Sequence, residues 1–104
     1  ANVMFGPAVN VARIANGGRS FEYLSGEDPF LGYTLVQPVV RGIQKYVIAN
    51  VKHYINNNQE GLLTEDHPKQ PGEGDRHFTS EIVDERTRME IYHPPFQGAV
   101  EAGV

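Results

Sequence analysis

The sequence predicts an α/β fold in which short parallel strands alternate with helices along the chain. Two apolar runs bounded by turn formers, Val3–Phe5 and Val47–Val51, are typical of short buried strands. A helical pattern follows each run, the first from Asp28 and the second from Asp84. Because this alternation is typical of βαβ units, we expect the two runs to be neighbouring parallel strands joined by a right-handed crossover.

The first helix is predicted over Pro29–Lys45. Asp28 is a good N-cap, and Pro29 suits the first helical position, where no backbone N–H is needed. Pro38 lies inside the pattern and is expected to bend the helix, because it removes a backbone hydrogen bond. Four apolar residues at spacings of four predict one buried stripe, formed by Leu31, Leu35, Val39 and Ile43.

The second helix is predicted to begin at Asp84 as its N-cap, with Glu85 in the first turn, where a carboxylate favours the positive helix end. Pro94-Pro95 is expected to interrupt this helix and Gly103 to end it. Its predicted apolar face comprises Met89, Tyr92, Phe96 and Val100. The aromatic residues expected to pack in the core are Phe30, Tyr33, Tyr92 and Phe96.

Long polar segments follow both predicted strands, whereas the joint between the first helix and the second strand is very short. The segments Ala8–Gly26 and Asn56–Ser80 are rich in turn formers and are predicted to be loops. In a (β/α)8 barrel, the loops that follow the strands form the active-site face. Two or three strands with two helices cannot cover a parallel sheet on both faces, so we expect a slice of a larger α/β protein.

Composition excludes several classes of function. The 104 residues carry 9 Lys and Arg against 13 Asp and Glu, a formal net charge of -4, so no surface for nucleic acid or an anionic membrane is predicted. The absence of cysteine excludes disulfides and thiolate chemistry. No apolar run is long enough to span a membrane, and the first residues lack the basic region of a signal peptide. No metal site is predicted from the histidines, which are His53, His67, His77 and His93.

Three segments of the chain together carry a resemblance to a known family. They are "GGRSFEYLSGEDPFLG" at 17–32, "VKHYINNNQE" at 51–60 and "DERTRMEIYHPPFQGAVEAGV" at 84–104. In that order they resemble the arginine loop, the lysine-histidine motif and the following helix of glycoside hydrolase family 3, the family of many β-glucosidases. Each motif alone is weak, but the three together are specific. The joint at Lys45-Tyr46 departs from the family by lacking its usual glycine-containing turn.

The resemblance implies that residues 1–104 are part of a family 3 N-terminal domain, about two strand-helix units of a (β/α)8 TIM-type barrel that the remainder of the chain would close. It also implies a site for a β-glucoside or oligosaccharide, in which Arg19, Lys52 and His53 contact sugar hydroxyls in the glycone subsite. A guanidinium, an ammonium and an imidazole supply suitable donors and acceptors. No cofactor is implied, and a secreted or extracellular location is favoured.

The resemblance further implies a retaining mechanism, which needs a carboxylate nucleophile and an acid/base carboxylate about 5 Å apart. Both are expected outside residues 1–104, so the segment alone is expected to be inactive. Glu22 is expected to be a structural partner of Arg19 or of nearby backbone. The acidic residues that match no catalytic position of the family include Glu22, Glu27, Asp28, Glu60, Asp66 and Asp75.

Other interpretations stay open from the residues alone. Without the resemblance, Arg19 is a solvated loop residue or pairs with Glu22 or Glu27, and Lys52-His53 is a strand-end pair facing water. Two further classes are a non-catalytic carbohydrate-binding or scaffolding α/β module and a self-contained α/β domain with an unrelated function.

Overall fold

The computed structural model describes residues 1–15, 17–59 and 80–104, and it shows a small α/β arrangement of two parallel strands and several helices. The elements in chain order are strand β1 (Val3–Met4), a 3₁₀ turn (Ser20–Glu22), helix α1 (Pro29–Ile43), strand β2 (Ile48–Ala49), helix α2 (Glu85–Thr87), a π turn (Arg88–Tyr92) and helix α3 (Pro94–Glu101). Of the predicted loop Asn56–Ser80, residues 60–79 lie outside the described residues. In the three described ranges, no helix is long and apolar enough to cross a membrane.

The two strands pair in parallel, with Val3 opposite Ile48 and Met4 opposite Ala49. This pairing confirms that the two apolar runs are parallel neighbours, and the hand of the crossover stays a prediction. The expected burial of the first strand is wrong, since Val3 and Met4 are 41% and 47% exposed. Parallel strands need cover on both faces, and β1 has one strand neighbour in the described residues.

The deepest burial in the first part of the chain lies just after β1, in a segment predicted to be a loop. Residues 6–11 are all buried, and Val9 is 0% exposed. The backbone N–H of Val9 donates to the Lys52 carbonyl at 2.9 Å, and the N–H of Lys52 donates to the Pro7 carbonyl at 3.1 Å. The loop prediction for Ala8–Gly26 therefore missed a strand-like start that continues the parallel pairing.

Helix α1 begins as the sequence predicts. The Asp28 carboxylate accepts hydrogen bonds from the backbone N–H of Phe30 at 2.8 Å and of Leu31 at 3.2 Å, and a proline opens the helix. The helix ends at Ile43, two residues before the predicted end at Lys45. A turn then leads directly into β2, in which Ala49 is buried.

The buried face of α1 differs from the predicted stripe by one position. Its buried residues are Gly32, Val36 and Val40, whereas Leu31 and Leu35 are 44% and 38% exposed. The predicted stripe and the observed buried face both repeat every four residues, so the helical period alone cannot choose between them. The choice comes from packing against α3, because a Cβ on Gly32 would lie 2.8 Å from Cγ of a proline in that helix. The half-buried members of the predicted stripe are Val39 and Ile43.

The second helical region is capped and interrupted as predicted. The Asp84 carboxylate accepts from the Thr87 N–H at 2.9 Å. A π turn follows α2, and α3 then starts at Pro94. Gly103 comes after the end of α3 with a φ of 95°, a left-handed conformation that glycine favours at this position.

The predicted apolar face of the second helical region is half right. Tyr92 and Phe96 are 8% and 6% exposed, but Met89 and Val100 are 50% and 68% exposed. Phe30 is also 73% exposed, against its expected place in the core, and Tyr33 is half buried. Small residues and a proline form much of the buried face of α3 instead, which comprises Pro95, Phe96, Gly98 and Ala99.

The core lies where α1, α3, β2 and the segment after β1 meet. Helices α1 and α3 pack on each other because glycines remove side-chain bulk between them. A Cβ on Gly98 would stand 2.6 Å from the Tyr33 carbonyl oxygen, which is too close for any larger residue. The buried cluster comprises Val9, Val36, Val40, Ala49, Phe96 and Ala99. This core fixes the carboxyl ends of both strands, from which the candidate site residues extend.

Candidate sugar-binding site

A tight turn places Arg19 at the start of the site. Gly17 is buried, and a Cβ there would meet the Asn58 carbonyl oxygen at 2.9 Å. Gly18 has a φ of 85°, which side chains rarely adopt. Arg19 then precedes the 3₁₀ turn, in which the Glu22 N–H donates to the Arg19 carbonyl at 3.0 Å. The two glycines are thus needed to bring Arg19 and Glu22 into one short turn.

Ala8 joins this turn to the segment after β2. It forms isolated parallel bridges with Tyr23 on one side and with Lys52 on the other. The Leu24 N–H donates to the Ala8 carbonyl at 3.0 Å. Because one buried residue pairs with both segments, the arginine loop and the lysine-histidine segment lie side by side at the carboxyl ends of β1 and β2.

Arg19 and Lys52 meet at one carboxylate. Arg19 donates from Nε to Oε1 of Glu22 at 2.6 Å and from Nη2 to Oε2 at 2.8 Å. Lys52 Nζ lies 3.5 Å from the same Oε2. The three side chains are between 21% and 28% exposed, so each is partly open to solvent. Hydrogen bonding from Arg19, aided by the charges of both cations, lowers the pKa of Glu22 to about 2.

The backbone of His53 is held by a buried asparagine. The His53 N–H donates to Oδ1 of Asn10 at 2.7 Å, and Nδ2 of Asn10 donates to the His53 carbonyl at 2.9 Å. Asn10 is 2% exposed. The imidazole lies edge-on to the Tyr23 ring, with centroids 6.3 Å apart, and the Tyr23 hydroxyl donates to the Asn57 carbonyl at 2.9 Å.

The structure therefore brings all three predicted site residues into one region. Arg19 and Lys52 converge on Glu22, and His53 follows Lys52 and contacts the tyrosine that follows Glu22. The pairing of Glu22 with Arg19 is also as expected. Sequence reasoning missed Asn10 and Tyr23. The signal for Asn10 was the buried run "AVNV", which reads as a short strand that contains one amide.

The remaining acidic candidates in the described residues have structural roles or lie at the surface. Asp28 serves as the N-cap of α1, and Glu27 is exposed. Within the ranges that the structure covers, no three acidic, histidine or cysteine side chains are grouped to hold a metal ion. The candidates that lie outside the described residues are Glu60, Asp66, His67, Asp75 and His77.

The chain is similar over nearly its whole length to known β-glucosidases. It is 42% identical over 103 residues to the β-glucosidase BoGH3A of Bacteroides ovatus, which covers 98% of this chain and 12% of that protein. Among solved structures, β-glucosidase 3B of Thermotoga neapolitana, in complex with α-D-glucose, is 36% identical, with a TM-score of 0.80 over 97% of this chain and 12% of that one. DesR, a β-glucosidase of Streptomyces venezuelae in complex with D-glucose, is 31% identical, with a TM-score of 0.78 over 98% of this chain and 11% of that one.

These relatives are glycoside hydrolases of the β-glucosidase class. The chain is homologous to a segment of the β-glucosidases of the glycoside hydrolase family 3 type, as its three motifs indicate. It spans about 12% of the length of the curated relatives that it matches. A scan against descriptions of known protein families gives no match.

Proposed function

We propose that this chain is part of a β-glucosidase that hydrolyses O-glycosidic bonds with retention of configuration. In this proposal Arg19, Lys52 and His53 contact the sugar in the glycone subsite. The observation that carries it is that Arg19 and Lys52 come from two separate segments and meet at Glu22, with His53 next to Lys52 and against Tyr23. The relatives of the chain are β-glucosidases. The sugar would be the β-glucoside or oligosaccharide that such an enzyme cleaves.

The chemistry of the cluster suits a neutral sugar. Arg19 and Lys52 offer charged donors, which form stronger hydrogen bonds to hydroxyl oxygens than neutral donors do. Their shared carboxylate reduces the net positive charge, so the cluster does not demand an anionic ligand. Residues held in this way orient the ring before reaction, which lowers the barrier to cleavage. The nucleophile and the acid/base carboxylate would come from other parts of the enzyme.

The proposal also places residues 1–104 within a (β/α)8 barrel domain. β2 has one strand neighbour in the described residues, and an apolar cleft of about 410 Å³ lies beside it. Further strands of the barrel would extend the sheet at this edge and cover that cleft, whose lining includes Ala49, Val51, Tyr54, Phe96 and Ala99. The match to β-glucosidase structures with TM-scores of 0.78 and 0.80 supports this placement.

The experiment that tests the proposal is steady-state kinetics of the full-length protein with an aryl β-glucoside. Arg19→Ala and Lys52→Ala are each expected to lower kcat/KM by an amount that corresponds to about 2 to 4 kcal/mol of lost transition-state stabilisation. This is the cost of losing a charged hydrogen bond and leaving a sugar hydroxyl unpaired. That loss is about 30- to 900-fold. Lys45→Ala, which changes an exposed lysine at the helix-strand joint, is the matched control and should leave the kinetics unchanged.

Three results would contradict the proposal. Unchanged kinetics in both alanine variants would remove Arg19 and Lys52 from the site. Sugar binding by the full-length protein without turnover would favour a non-catalytic carbohydrate-binding module. Turnover by the purified 104-residue chain alone would show that the carboxylates for cleavage lie within it, against the expectation that it is inactive.

A further inference from the structure

Glu22 is the common contact of the two cations in the site. Both of its carboxylate oxygens accept from Arg19, at 2.6 Å and 2.8 Å. Oε2 also lies 3.5 Å from Lys52 Nζ. One carboxylate therefore bridges the arginine loop and the lysine-histidine segment, which are far apart in the sequence. A bidentate pair with a guanidinium fixes direction as well as distance.

Glu22 lies in a turn whose backbone is anchored. It ends the 3₁₀ turn, and the next residue, Tyr23, is 8% exposed and donates its hydroxyl proton to the Asn57 carbonyl at 2.9 Å. Arg19 and Lys52, by contrast, carry long side chains with many rotamers. A flexible side chain loses conformational entropy when it is fixed on a ligand. A short anchored carboxylate that holds both cations in advance reduces that loss at the moment of binding.

We propose that Glu22 is a positioning residue of the sugar site, whose carboxylate holds the guanidinium of Arg19 and the ammonium of Lys52 side by side and aimed at one ligand. This inference rests on the proposed function for the identity of that ligand. Glu22 does not act on the sugar itself, because its oxygens are occupied by the two cations. It acts through Arg19 and Lys52.

A double-mutant cycle in the full-length protein tests this role. Glu22→Gln, which keeps the size and removes the charge, is expected to lower kcat/KM by about 10- to 100-fold, the scale of losing hydrogen bonds to a charged group. In an Arg19→Ala, Lys52→Ala background, the same substitution should lower kcat/KM by less than about threefold, because the groups that it positions are gone. Glu22→Asp, which keeps the charge, should retain more activity than Glu22→Gln.

The matched control is Glu27→Gln, which removes an exposed carboxylate from the same loop and should leave kcat/KM unchanged. If Glu22→Gln has the same effect in both backgrounds, Glu22 acts independently of the two cations and the inference is overturned. If Arg19→Ala and Lys52→Ala lower activity but Glu22→Gln does not, the proposed function stands and the positioning role of Glu22 fails.

Crystal structures of the wild-type and Glu22→Gln proteins decide the matter without reference to activity. The inference predicts that the side-chain ends of Arg19 and Lys52 move apart or become disordered in the variant, while the backbone stays in place. If the full-length protein hydrolyses no β-glucoside, the proposed function fails, and these structures still test the positioning role. Unchanged side-chain positions in the Glu22→Gln protein would overturn it.

Discussion

Asn10→Ala is expected to disturb the site without touching any of the proposed sugar ligands. The substitution removes two hydrogen bonds, of 2.7 Å and 2.9 Å, that fix the backbone of His53. Each bond contributes about 0.5 to 1.5 kcal/mol, and a buried polar group that loses its contact costs about 1 to 3 kcal/mol. The two bonds and the buried polar group together predict a loss of about 2 to 6 kcal/mol in the free energy of unfolding, with a further loss of activity as His53 shifts.

Chemical unfolding and β-glucoside kinetics of the same full-length variants measure both effects. Gln97→Ala is the matched control, because Gln97 is an exposed amide on α3 outside the cleft beside β2, and an exposed side chain changes stability by no more than about 0.5 kcal/mol. An Asn10→Ala protein whose free energy of unfolding is within about 0.5 kcal/mol of the wild type would show that these bonds do not stabilise the fold. A variant that loses stability while kcat/KM stays at the wild-type value would show that Asn10 does not position His53.

Three further predictions concern packing, capping and charge. Gly32→Ala should lower the free energy of unfolding by about 1 to 3 kcal/mol, because the new Cβ would lie 2.1 Å from Ser25 Oγ. At Gly42 a Cβ meets open space, so Gly42→Ala should raise the free energy of unfolding by about 0.4 to 1 kcal/mol. Asp28→Ala should cost about 0.5 to 2 kcal/mol and Asp28→Ser much less. Since the pKa of Glu22 falls from 4.5 to about 2 on folding, its stabilisation is complete above pH 4.5 and is lost as the pH falls towards 2.

Chemical unfolding checks all three predictions, with the pH series comparing the wild type and Glu22→Gln. Equal effects of alanine at Gly32 and Gly42 would show that Gly32 packs less tightly against Ser25 and α3 than described. An Asp28→Ser protein as unstable as Asp28→Ala would remove the capping role. A stability difference between wild type and Glu22→Gln that does not shrink below pH 4.5 would contradict the depressed pKa of Glu22.

Local signals in the sequence predicted where the helices begin. The caps at Asp28 and Asp84 are formed by residues within a few positions of the helix, so their chemistry is legible without the fold. The buried face of α1 was wrong by one position because Leu35 and Val36 are both apolar and both belong to rows with a spacing of four. Contact with α3 selects the row of Val36, and that contact depends on residues far along the chain.

The candidate site was also predicted only in part, because local motifs mark some of its residues and long-range contacts place the others. Arg19, Lys52 and His53 lie in motifs that the family resemblance marks, so they could be proposed as candidates without knowledge of their contacts. Asn10 was missed because its bonds to His53 span 43 positions in sequence, and nothing local to Asn10 indicates them. The run "AVNV" signals the strand-like segment that contains Asn10, but it does not reveal the partner of the Asn10 side chain.

The central proposal for this protein is that Arg19, Lys52 and His53 hold one sugar. A crystal structure of the full-length protein in complex with glucose tests this directly. We expect polar atoms of all three side chains to lie within about 2.7 to 3.2 Å of hydroxyls on a single ring, with Glu22 still bonded to Arg19. Glucose bound elsewhere, with these three side chains making no contact to it, would show that they do not form the sugar site.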